Sequence, residues 1–401
     1  MIKILDSNIE NYDGNRQGAN IILTHSDVDG LVSAAIAREF ITSVADQDRC
    51  LVSDRYIIVS SLAAQPIETD KMLKVACKYL GTTTEKLTAN DMIWILDRTN
   101  FTDEMISKIG DINNIPYMVV ADHHISSTLR HEEVLGSGCF RHMYSVLSND
   151  INSCGATNTK ELVYELLRRY GFSSESYDAW KFSGGGLDRL VEITNNWDTF
   201  RWKTLDDESE KLRAQKIQSM DKIFGDKVTW DIISKAVSYS DENNSAWDMI
   251  IDDVDLAYKI FESKLNDHKF VVKHKCKNNL VYGTRNGVKS TICIMFGMEE
   301  FQSMLSDYIF EENSDIDAVI WINYGGTISV RSREGSSIEA RELAVKLSEA
   351  SGFTGGGHPK AAGGRIKGGD IIREELVDEI YKGMVSSIFD NVYLDIEAIV
   401  K

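Results

Sequence analysis

Short apolar runs alternate with helical patterns over roughly the first half of the chain. The runs predict buried strands, and apolar residues at helical spacing between them predict the intervening helices. Strands that alternate with helices indicate βαβ units and a mainly parallel sheet flanked by helices. The predicted strands are Ile21–Thr24, Arg55–Ser60, Met92–Leu96 and Ile115–Ala121, and the predicted helices are Leu31–Phe40, Glu68–Tyr79, Thr102–Ile109, Thr159–Tyr170 and Leu187–Asn196.

The pattern changes after residue 205. The segment Asp206–Asp267 is charged and mostly helical in pattern, with a polar cluster at Ser238–Ser245 that predicts a loop. Strand-like runs then return and alternate with helical patterns, as in a second, smaller α/β domain. The predicted strands are Phe270–Val272, Asn279–Tyr282, Thr291–Ile294, Ala318–Ile322 and Thr327–Val330, and the predicted helices are Glu299–Phe310, Ile338–Ala350 and Ile371–Ile388.

These patterns place the chain in the α/β class with more than one domain. A length of 401 residues is typical of two or three domains. We predict an α/β domain over 1–205, a helical connector over 206–268 and a smaller α/β domain over 269–401. We expect the active site in the cleft between the two α/β domains.

The charge balance narrows the class of partner. The formal net charge is −18 and the sequence pI is about 4.9. A broad electropositive track for long duplex nucleic acid is therefore not expected. Bound divalent cations would invert the local field and admit a phosphate, so a short anionic substrate stays compatible with this charge.

The cysteines and the N-terminus indicate a cytoplasmic protein without a membrane partner. The six cysteines are scattered, with no close pair at metal-ligand or redox spacing, which is typical of reduced thiols in the cytosol. No run of 18 apolar residues is present, so a membrane span is not expected. The first 20 residues mix charged and polar side chains without an apolar core, unlike a secretory signal.

Three predicted strands end in carboxylates or imidazoles. Ile21–Thr24 leads into His25-Ser26-Asp27-Val28-Asp29-Gly30, Met92–Leu96 leads into Asp97, and the third strand leads into Asp122-His123-His124. Ligands of open parallel sheets bind outside the carboxyl ends of the strands. Such a concentration of carboxylates and imidazoles at one sheet edge is what a two-metal hydrolytic site requires.

Each strand-end motif also has a simpler interpretation. His25, Asp27 and Asp29 alternate along an extended segment and face one side, as ligands of Mn²⁺ would, but Asp29 could equally be the N-cap of the next helix. Asp97 and Asp198 could each be a cap or turn residue. Arg98 could contact phosphate or serve as an ion-pair partner.

The double histidine is the strongest local signal. If the strand continued, His123 and His124 would face opposite ways, so we expect one of them to be a ligand. Asp122 could orient a neighbouring imidazole from behind. The alternative is a solvent-exposed polar strand end.

A glycine-rich segment marks the second domain: Gly355-Gly356-Gly357-His358-Pro359-Lys360. Consecutive glycines permit close backbone approach to a ligand, and their amides could bind phosphate with His358 and Lys360 as further donors. A flexible linker is the alternative, although the sequence after the glycines is not typical of one. Arg331 and Ser332 end the strand Thr327–Val330, one predicted helix before the glycines.

Taken in chain order, these motifs resemble those of the DHH–DHHA1 phosphoesterase superfamily. The resemblance covers about residues 20–390 and leaves the polar N-terminal extension outside the shared core. Within the superfamily the chain is most similar to the nanoRNases, which hydrolyse short oligoribonucleotides. The segments Trp197–Trp202 and Ile328–Ser332, together with the glycine run, carry that similarity.

The resemblance implies a DHH catalytic domain that holds two divalent cations, preferably Mn²⁺, and a DHHA1 substrate-binding domain. One cation would be held by His25, Asp27 and Asp97. The other would be held by Asp29, Asp97, His123 and Asp198, with Asp97 bridging. His124 would face the scissile phosphate. The DHHA1 domain would bind substrate phosphate through Arg331, Ser332, Gly355, Gly356, Gly357, His358 and Lys360, with Arg331 and His358 also stabilising the transition state.

The implied activity is hydrolysis of short single-stranded oligonucleotides to nucleoside monophosphates by a metal-activated water. The same metal site would also suit a cyclic mono- or dinucleotide phosphodiesterase or a 3′,5′-bisphosphonucleotide phosphatase. A nucleotide-binding protein without turnover is a further alternative. A homodimer is compatible with the sequence.

Overall fold

The computed structural model describes residues 2–9, 18–45, 53–63, 65–110, 116–148, 150, 152–169, 186–241, 244–277, 280–285, 288–297, 301–323, 326–350, 352 and 355–365. The predicted helix Ile371–Ile388 lies outside these residues. The chain divides into two compact units, Met1–Phe261 (unit 1) and Glu262–Lys401 (unit 2). The predicted α/β class, with a mainly parallel N-terminal sheet, is confirmed, whereas the predicted domain boundaries and the cleft between domains stay predictions.

Unit 1 is built on a six-stranded sheet in the order β1-β3-β2-β4-β5-β6. Only β1 is antiparallel to its neighbour, and the other pairs are parallel. The edge strands β1 and β6 were not predicted, and β1 shows that part of the N-terminal extension belongs to the sheet. The strands are β1 Lys3–Ser7, β2 Asn20–His25, β3 Tyr56–Ser61, β4 Met92–Leu96, β5 Tyr117–Asp122 and β6 Arg141–Leu147.

Helices cover both faces of this sheet. Alternate strand residues explain why: Ile22 and Trp94 belong to one apolar cluster, and Ile21 and Ile93 belong to the other. Successive side chains of a strand point to opposite faces, so a strand that is apolar throughout needs cover on both. The helices are α1 Val28–Ala45, α2 Pro66–Tyr79, α3 Asp103–Gly110, α4 Ile125–Gly136, α5 Gly155–Arg169, α6 Asp188–Asp198, α7 Glu208–Ile217, α8 Ser219–Tyr239 and α9 Ala246–Cys276, with 3-10 turns at Thr84–Lys86 and Arg201–Thr204.

The predicted strand Phe270–Val272 is wrong, because these residues lie within α9. A short apolar run cannot be assigned to strand or helix from periodicity alone. The residues before this run indicate a helix, because buried side chains recur there at helical spacing: Val254, Ala257, Phe261 and Leu265. The helical prediction for the residues before it is confirmed.

Unit 2 contains a mixed sheet in the order β11-β12-β10-β9-β8-β7. The pair β8–β9 is parallel and the other pairs are antiparallel. The predicted glycine-rich segment forms most of a hairpin, β11 and β12, which was not predicted. The elements are β7 Leu280–Arg285, β8 Val288–Phe296, α10 Gln302–Glu312, β9 Ala318–Ile322, β10 Thr327–Ser332, α11 Ala340–Ala350, β11 Gly356–His358 and β12 Ala361–Arg365.

Among the described residues, no helix combines the length and apolar character that a membrane span needs.

Candidate metal centre

The polar strand ends of unit 1 meet at one edge of the sheet. The chain leaves β2 for β3 on one side and then returns to β4 on the other side of β2. Such a reversal of strand order opens a crevice at the carboxyl ends of the two central strands. His25 ends β2, Asp97 follows β4, and His123 and His124 follow β5.

The turn from β2 into α1 fixes the first ligand candidates. The α1 helix begins at Val28, and Asp27 caps it by accepting a hydrogen bond from the Gly30 amide at 3.0 Å. Asp29 therefore lies in the first turn, and the alternative in which Asp29 is the N-cap is wrong. A Cβ on Gly30 would lie 2.4 Å from the His25 carbonyl oxygen, so this turn requires glycine.

The His25 ring presents one nitrogen to the centre. Its Nε2 lies 2.8 Å from the Leu62 carbonyl oxygen, so Nε2 carries a proton and donates it. Nδ1 then faces Asp27 Oδ2 at 2.7 Å and Asp97 Oδ2 at 3.9 Å. Burial lowers the pKa of His25, but the nearby Asp27 carboxylate outweighs it and raises that pKa.

Asp97 lies between the two sides of the centre. It is 1% exposed, and its Oδ2 faces His25 while its Oδ1 lies 3.3 Å from His123 Nε2. The backbone of Asp97 has φ 53°, a left-handed conformation that is uncommon outside glycine, and its amide donates to the Ala121 carbonyl at 2.8 Å. Backbone strain of this kind is concentrated at functional sites.

The N-terminus of helix α5 holds Asp29 in position. The amides of Gly155 and Ala156, at its N-terminus, donate to Asp29 at 2.7 and 2.8 Å. A Cβ on Gly155 would lie 2.7 Å from the Cβ of Asp97 and 2.9 Å from Asp29 Oδ2, so only glycine allows this approach. Sequence reasoning missed Gly155, although a glycine shortly before the predicted helix from Thr159 was the available signal.

Asp198, the last residue of α6, completes the group. Its Oδ2 lies 3.3 Å from His123 Nε2, and Asp29 Oδ2 lies 3.8 Å from the same nitrogen. The imidazole of His123 therefore faces three carboxylates, those of Asp29, Asp97 and Asp198.

The two adjacent histidines approach the same centre. Their ring centroids are 4.3 Å apart, and His124 Nδ1 lies 3.7 Å from Asp97 Oδ1. The condition under which they would face opposite ways is not met, because β5 ends at Asp122 and the strand does not continue through them.

Asp122 orients His124 from behind. Its Oδ1 lies 2.8 Å from His124 Nδ1 and also accepts the amides of His123 and His124 at 2.8 and 3.2 Å. Its Oδ2 lies 2.9 Å from the Nε2 of buried His131 and accepts the Ser127 hydroxyl. Sequence reasoning missed His131, which no local motif marks.

Arg98 has a structural role in the fold. It is fully buried and donates to the Thr24 and Ala63 carbonyls and the Thr69 hydroxyl at 3.1, 3.0 and 3.1 Å. Burial lowers its pKa to about 10. Its guanidinium therefore fixes the ends of β2 and β3, and the two predicted roles, phosphate contact and ion-pair partner, do not fit this position.

The electrostatics of the centre favour a bound cation. Burial, together with the charges of Asp29 and Asp27, raises the pKa of Asp97 well above its usual value. Burial and Asp198 raise the pKa of Asp29 to about 6, and burial raises the pKa of Asp198. Asp97 Oδ1 and Asp198 Oδ2 are buried without a hydrogen-bond partner among the described residues. Buried polar atoms are rarely left unpaired, so these oxygens fit metal coordination.

Within the described part of the chain, three groups of side chains could each hold a metal ion, with ligand atoms within 4.8 Å of one another. Asp97 and His123 each belong to two of them. All six residues predicted as metal ligands fall within these groups, and the assignment of each to an ion stays a prediction. The groups are His25, Asp27 and Asp97; Asp97, His123 and His124; and Asp29, His123 and Asp198.

In unit 2, Arg331 and His358 lie on one face of the sheet. Ala361 of β12 pairs with Arg331 of β10 on one side and with His358 of β11 on the other. Directly paired residues of antiparallel strands point to the same face, so the two side chains flank Ala361. Their predicted phosphate contacts stay predictions.

The other residues predicted to bind substrate have contacts within unit 2. Lys360 Nζ lies 2.5 Å from Glu334 Oε1, and the Ser332 hydroxyl donates to the Pro359 carbonyl at 3.2 Å. A Cβ on Gly355 would lie 2.4 Å from the Ala344 carbonyl oxygen of α11.

The other two glycines differ from each other. Gly357 has φ 137°, whereas a Cβ on Gly356 would meet open space. Packing therefore explains Gly355, and backbone conformation explains Gly357. Only Gly356 has neither explanation.

Comparisons with known proteins agree with this architecture. The DHHA1 domain family matches residues 296–386. A 3′,5′-cyclic-nucleotide phosphodiesterase of Helicobacter pylori (strain ATCC 700392 / 26695) is 22% identical over 92% of this chain and 98% of its own length.

Solved structures show the same fold. RecJ from Thermus thermophilus, solved with Mn²⁺, is similar over 94% of this chain and 53% of its own, with a TM-score of 0.53 and 12% identity. An exonuclease RecJ bound to manganese is similar over 94% and 90%, with a TM-score of 0.52 and 11% identity. Residues 296–386 therefore match the DHHA1 domain family, and the chain shares its fold with the RecJ structures.

Proposed function

We propose that this protein is a divalent-metal-dependent phosphodiesterase acting on small nucleotide substrates. The observation that carries the proposal is the meeting of Asp29, Asp97, Asp198 and His123, with two buried carboxylate oxygens that lack hydrogen-bond partners among the described residues. The name of the Helicobacter pylori relative and the manganese-bound RecJ structures support a phosphodiesterase with Mn²⁺ at this centre.

The side chains divide into two proposed ligand sets that share Asp97. His25 and Asp27 face Asp97 Oδ2, and His123 faces Asp97 Oδ1 together with Asp29 and Asp198. When bound, two cations would lower the pKa of a water molecule and stabilise the negative charge that develops on a phosphate. No protein nucleophile is then needed.

His124 is proposed to donate a hydrogen bond to the substrate phosphate. Its Nδ1 faces Asp122, which leaves Nε2 directed away from that carboxylate, and 42% of the side chain is exposed. Burial lowers the pKa of His124, but the Asp122 charge and hydrogen bond outweigh it and raise the pKa to about 9. A raised pKa favours the imidazolium form, which is the stronger hydrogen-bond donor to phosphate.

Arg331 and His358 are proposed to bind the substrate phosphate from unit 2. Their position on one sheet face supports a shared ligand. The amides of Gly355, Gly356 and Gly357 are proposed as further donors, with Gly356 the most open of the three.

We propose short single-stranded oligonucleotides, hydrolysed to nucleoside monophosphates, as the first substrate class. The net charge of −18 disfavours a long polyanion, whereas the metal centre supplies a local attraction for one or two phosphates. A second class, the 3′,5′-cyclic nucleotides, is favoured by the relative from Helicobacter pylori, which matches this chain over nearly its whole length. In both substrate classes the reacting group is a phosphodiester.

One experiment separates these classes. Initial rates should be ranked with Mn²⁺ for end-labelled oligonucleotides from dinucleotides to twenty-mers, cyclic mono- and dinucleotides, and a 3′,5′-bisphosphonucleotide. The proposal predicts the highest rates for the shortest linear substrates, and higher rates on cyclic nucleotides would establish the second class instead. Nucleotide binding without any Mn²⁺-stimulated product would show a binding protein and refute the enzyme.

A further inference from the structure

A group of aromatic side chains follows Asp198 directly. We define the aromatic patch as Trp197, Phe200 and Trp202 with the neighbouring Lys203. The Trp197 and Trp202 rings are stacked, with centroids 5.7 Å apart and planes 14° from parallel. The Lys203 ammonium lies 5.6 Å from the Phe200 ring centroid and 5.3 Å from the Trp202 ring centroid. The Phe200 and Trp202 rings therefore both lie near the same ammonium group.

The backbone conformation at residue 200 does not explain why a phenylalanine occupies this position. Helix α6 ends at Asp198, Thr199 is its C-cap, and Phe200 follows with φ 59° and ψ 12°. Its amide donates to the Trp197 carbonyl at 3.1 Å, which closes the helix end. This left-handed position after a helix is normally filled by glycine or asparagine, so a bulky side chain here is disfavoured by its own backbone. Asp97 is the other non-glycine residue with positive φ in the described part of the chain.

Packing in the apolar core does not explain the presence of Phe200 either. Phe200 is 37% exposed, whereas Trp197 packs against the main apolar cluster of unit 1. The Trp202 indole Nε1 is buried and has no hydrogen-bond partner among the described residues. The patch therefore combines an exposed ring, an unpaired donor and a positive charge close to a proposed metal ligand.

We propose that the aromatic patch binds a nucleobase of the substrate, with the base stacked on the Phe200 ring. This inference rests on the proposed function, because it names the part of the substrate that lies beside Asp198. Stacking on an aromatic side chain tolerates any base, since purines and pyrimidines both present a flat π-face. The patch would thereby select nucleotides over other phosphodiesters without reading sequence.

The test replaces Phe200 by leucine and by tryptophan. Phe200→Leu keeps an apolar side chain on the left-handed backbone but removes the aromatic face, whereas Phe200→Trp keeps one. Tyr79→Leu is the matched control, because Tyr79 is an exposed aromatic residue of α2, at 52% exposure. Thermal melts verify that all three variants are folded.

Two pairs of compounds separate the base from the phosphate. Calorimetry compares AMP with ribose 5-phosphate, and Mn²⁺-dependent turnover compares a dinucleotide with an abasic ribose dinucleotide. We expect wild type to bind AMP about tenfold more tightly than ribose 5-phosphate, with Phe200→Leu reducing the difference to about twofold and raising the dinucleotide KM about tenfold. Phe200→Trp and Tyr79→Leu should behave as wild type, and the abasic substrate should respond to none of the three substitutions.

An unchanged AMP preference in Phe200→Leu overturns the inference. Equal losses with AMP and ribose 5-phosphate overturn it too, since they indicate a structural role. The calorimetric comparison of AMP with ribose 5-phosphate does not depend on turnover. If wild type hydrolyses neither the dinucleotides nor the cyclic nucleotides yet prefers AMP through Phe200, the proposed function fails and the base-binding inference stands.

Discussion

The metal centre of unit 1 and the glycine-rich hairpin of unit 2 differ in how far the fold accounts for their residues. At the metal centre, Asp97 Oδ1 and Asp198 Oδ2 are buried and lack hydrogen-bond partners among the described residues. In the hairpin, Lys360 contacts Glu334, Ser332 contacts Pro359, and Gly355 packs against α11. The first region therefore calls for a ligand, whereas much of the second is explained by its own packing.

The difference shows that a strong sequence motif can arise either from ligand binding or from the packing of the fold. Carboxylates at strand ends gain nothing from being gathered without a cation, because burial and mutual repulsion both disfavour their charged forms. Consecutive glycines, in contrast, can be required by close helix packing and left-handed backbone alone. Only contacts between segments distant in sequence distinguish the two.

The largest expected effect is that of Asp97→Asn. Asparagine tolerates the left-handed backbone at this position better than alanine would and keeps the shape of the side chain. Mn²⁺-dependent phosphodiesterase activity should fall about a thousandfold, since several kcal/mol of transition-state stabilisation are lost. The melting temperature of the metal-free variant should stay the same or rise, because a buried carboxylate with a raised pKa is removed. Activity at a tenth of the wild-type rate or more would refute the bridging role.

Next in size is Gly155→Ala. The added Cβ would lie 2.7 Å from the Asp97 Cβ and 2.9 Å from Asp29 Oδ2, so it should displace both carboxylates. We expect a loss of about 1–3 kcal/mol in the free energy of unfolding, together with weakened Mn²⁺ binding. Gly136→Ala is the matched control, because a Cβ there meets open space at the end of α4. Equal Mn²⁺ affinity in the two variants would contradict the packing argument.

A smaller effect is expected for Asp122→Asn. The asparagine keeps one acceptor but loses the carboxylate that orients His124 and contacts His131. Turnover should fall about 10–100-fold, as for other residues that position metal-site imidazoles. Asp91→Asn is the control, because Asp91 is also a buried carboxylate that accepts backbone amides, but at the amino end of β4. That control should lose stability while its folded fraction keeps wild-type turnover, and a similar loss of turnover in both would exclude a specific role for Asp122.

The smallest effects concern unit 2. Arg331→Gln should raise KM about tenfold if its guanidinium contacts substrate phosphate, since charge-assisted contacts are worth about 1.5–3 kcal/mol. Lys360→Gln should change KM less than about twofold, because its ammonium contacts Glu334 in an exposed pair of little energetic value. The reverse order would mean that Lys360, rather than Arg331, contacts the substrate phosphate.

Sequence patterns predicted the central strands well because β2, β4 and β5 are apolar along most of their length. They missed β1 and β6, whose side chains are mostly only partly buried and lack a clear pattern. Ligand candidates such as Asp27 and Asp97 could be found because each stands at the end of such a strand. Gly155 and His131 were not assigned, because their importance lies in contacts with residues outside their own segments.

The central claim is that the strand ends of unit 1 hold two divalent cations. Anomalous diffraction from a crystal soaked in Mn²⁺ tests it most directly. We expect two peaks, one beside His25, Asp27 and Asp97 and one beside Asp29, His123 and Asp198. Manganese bound elsewhere, with neither cluster occupied, would contradict it.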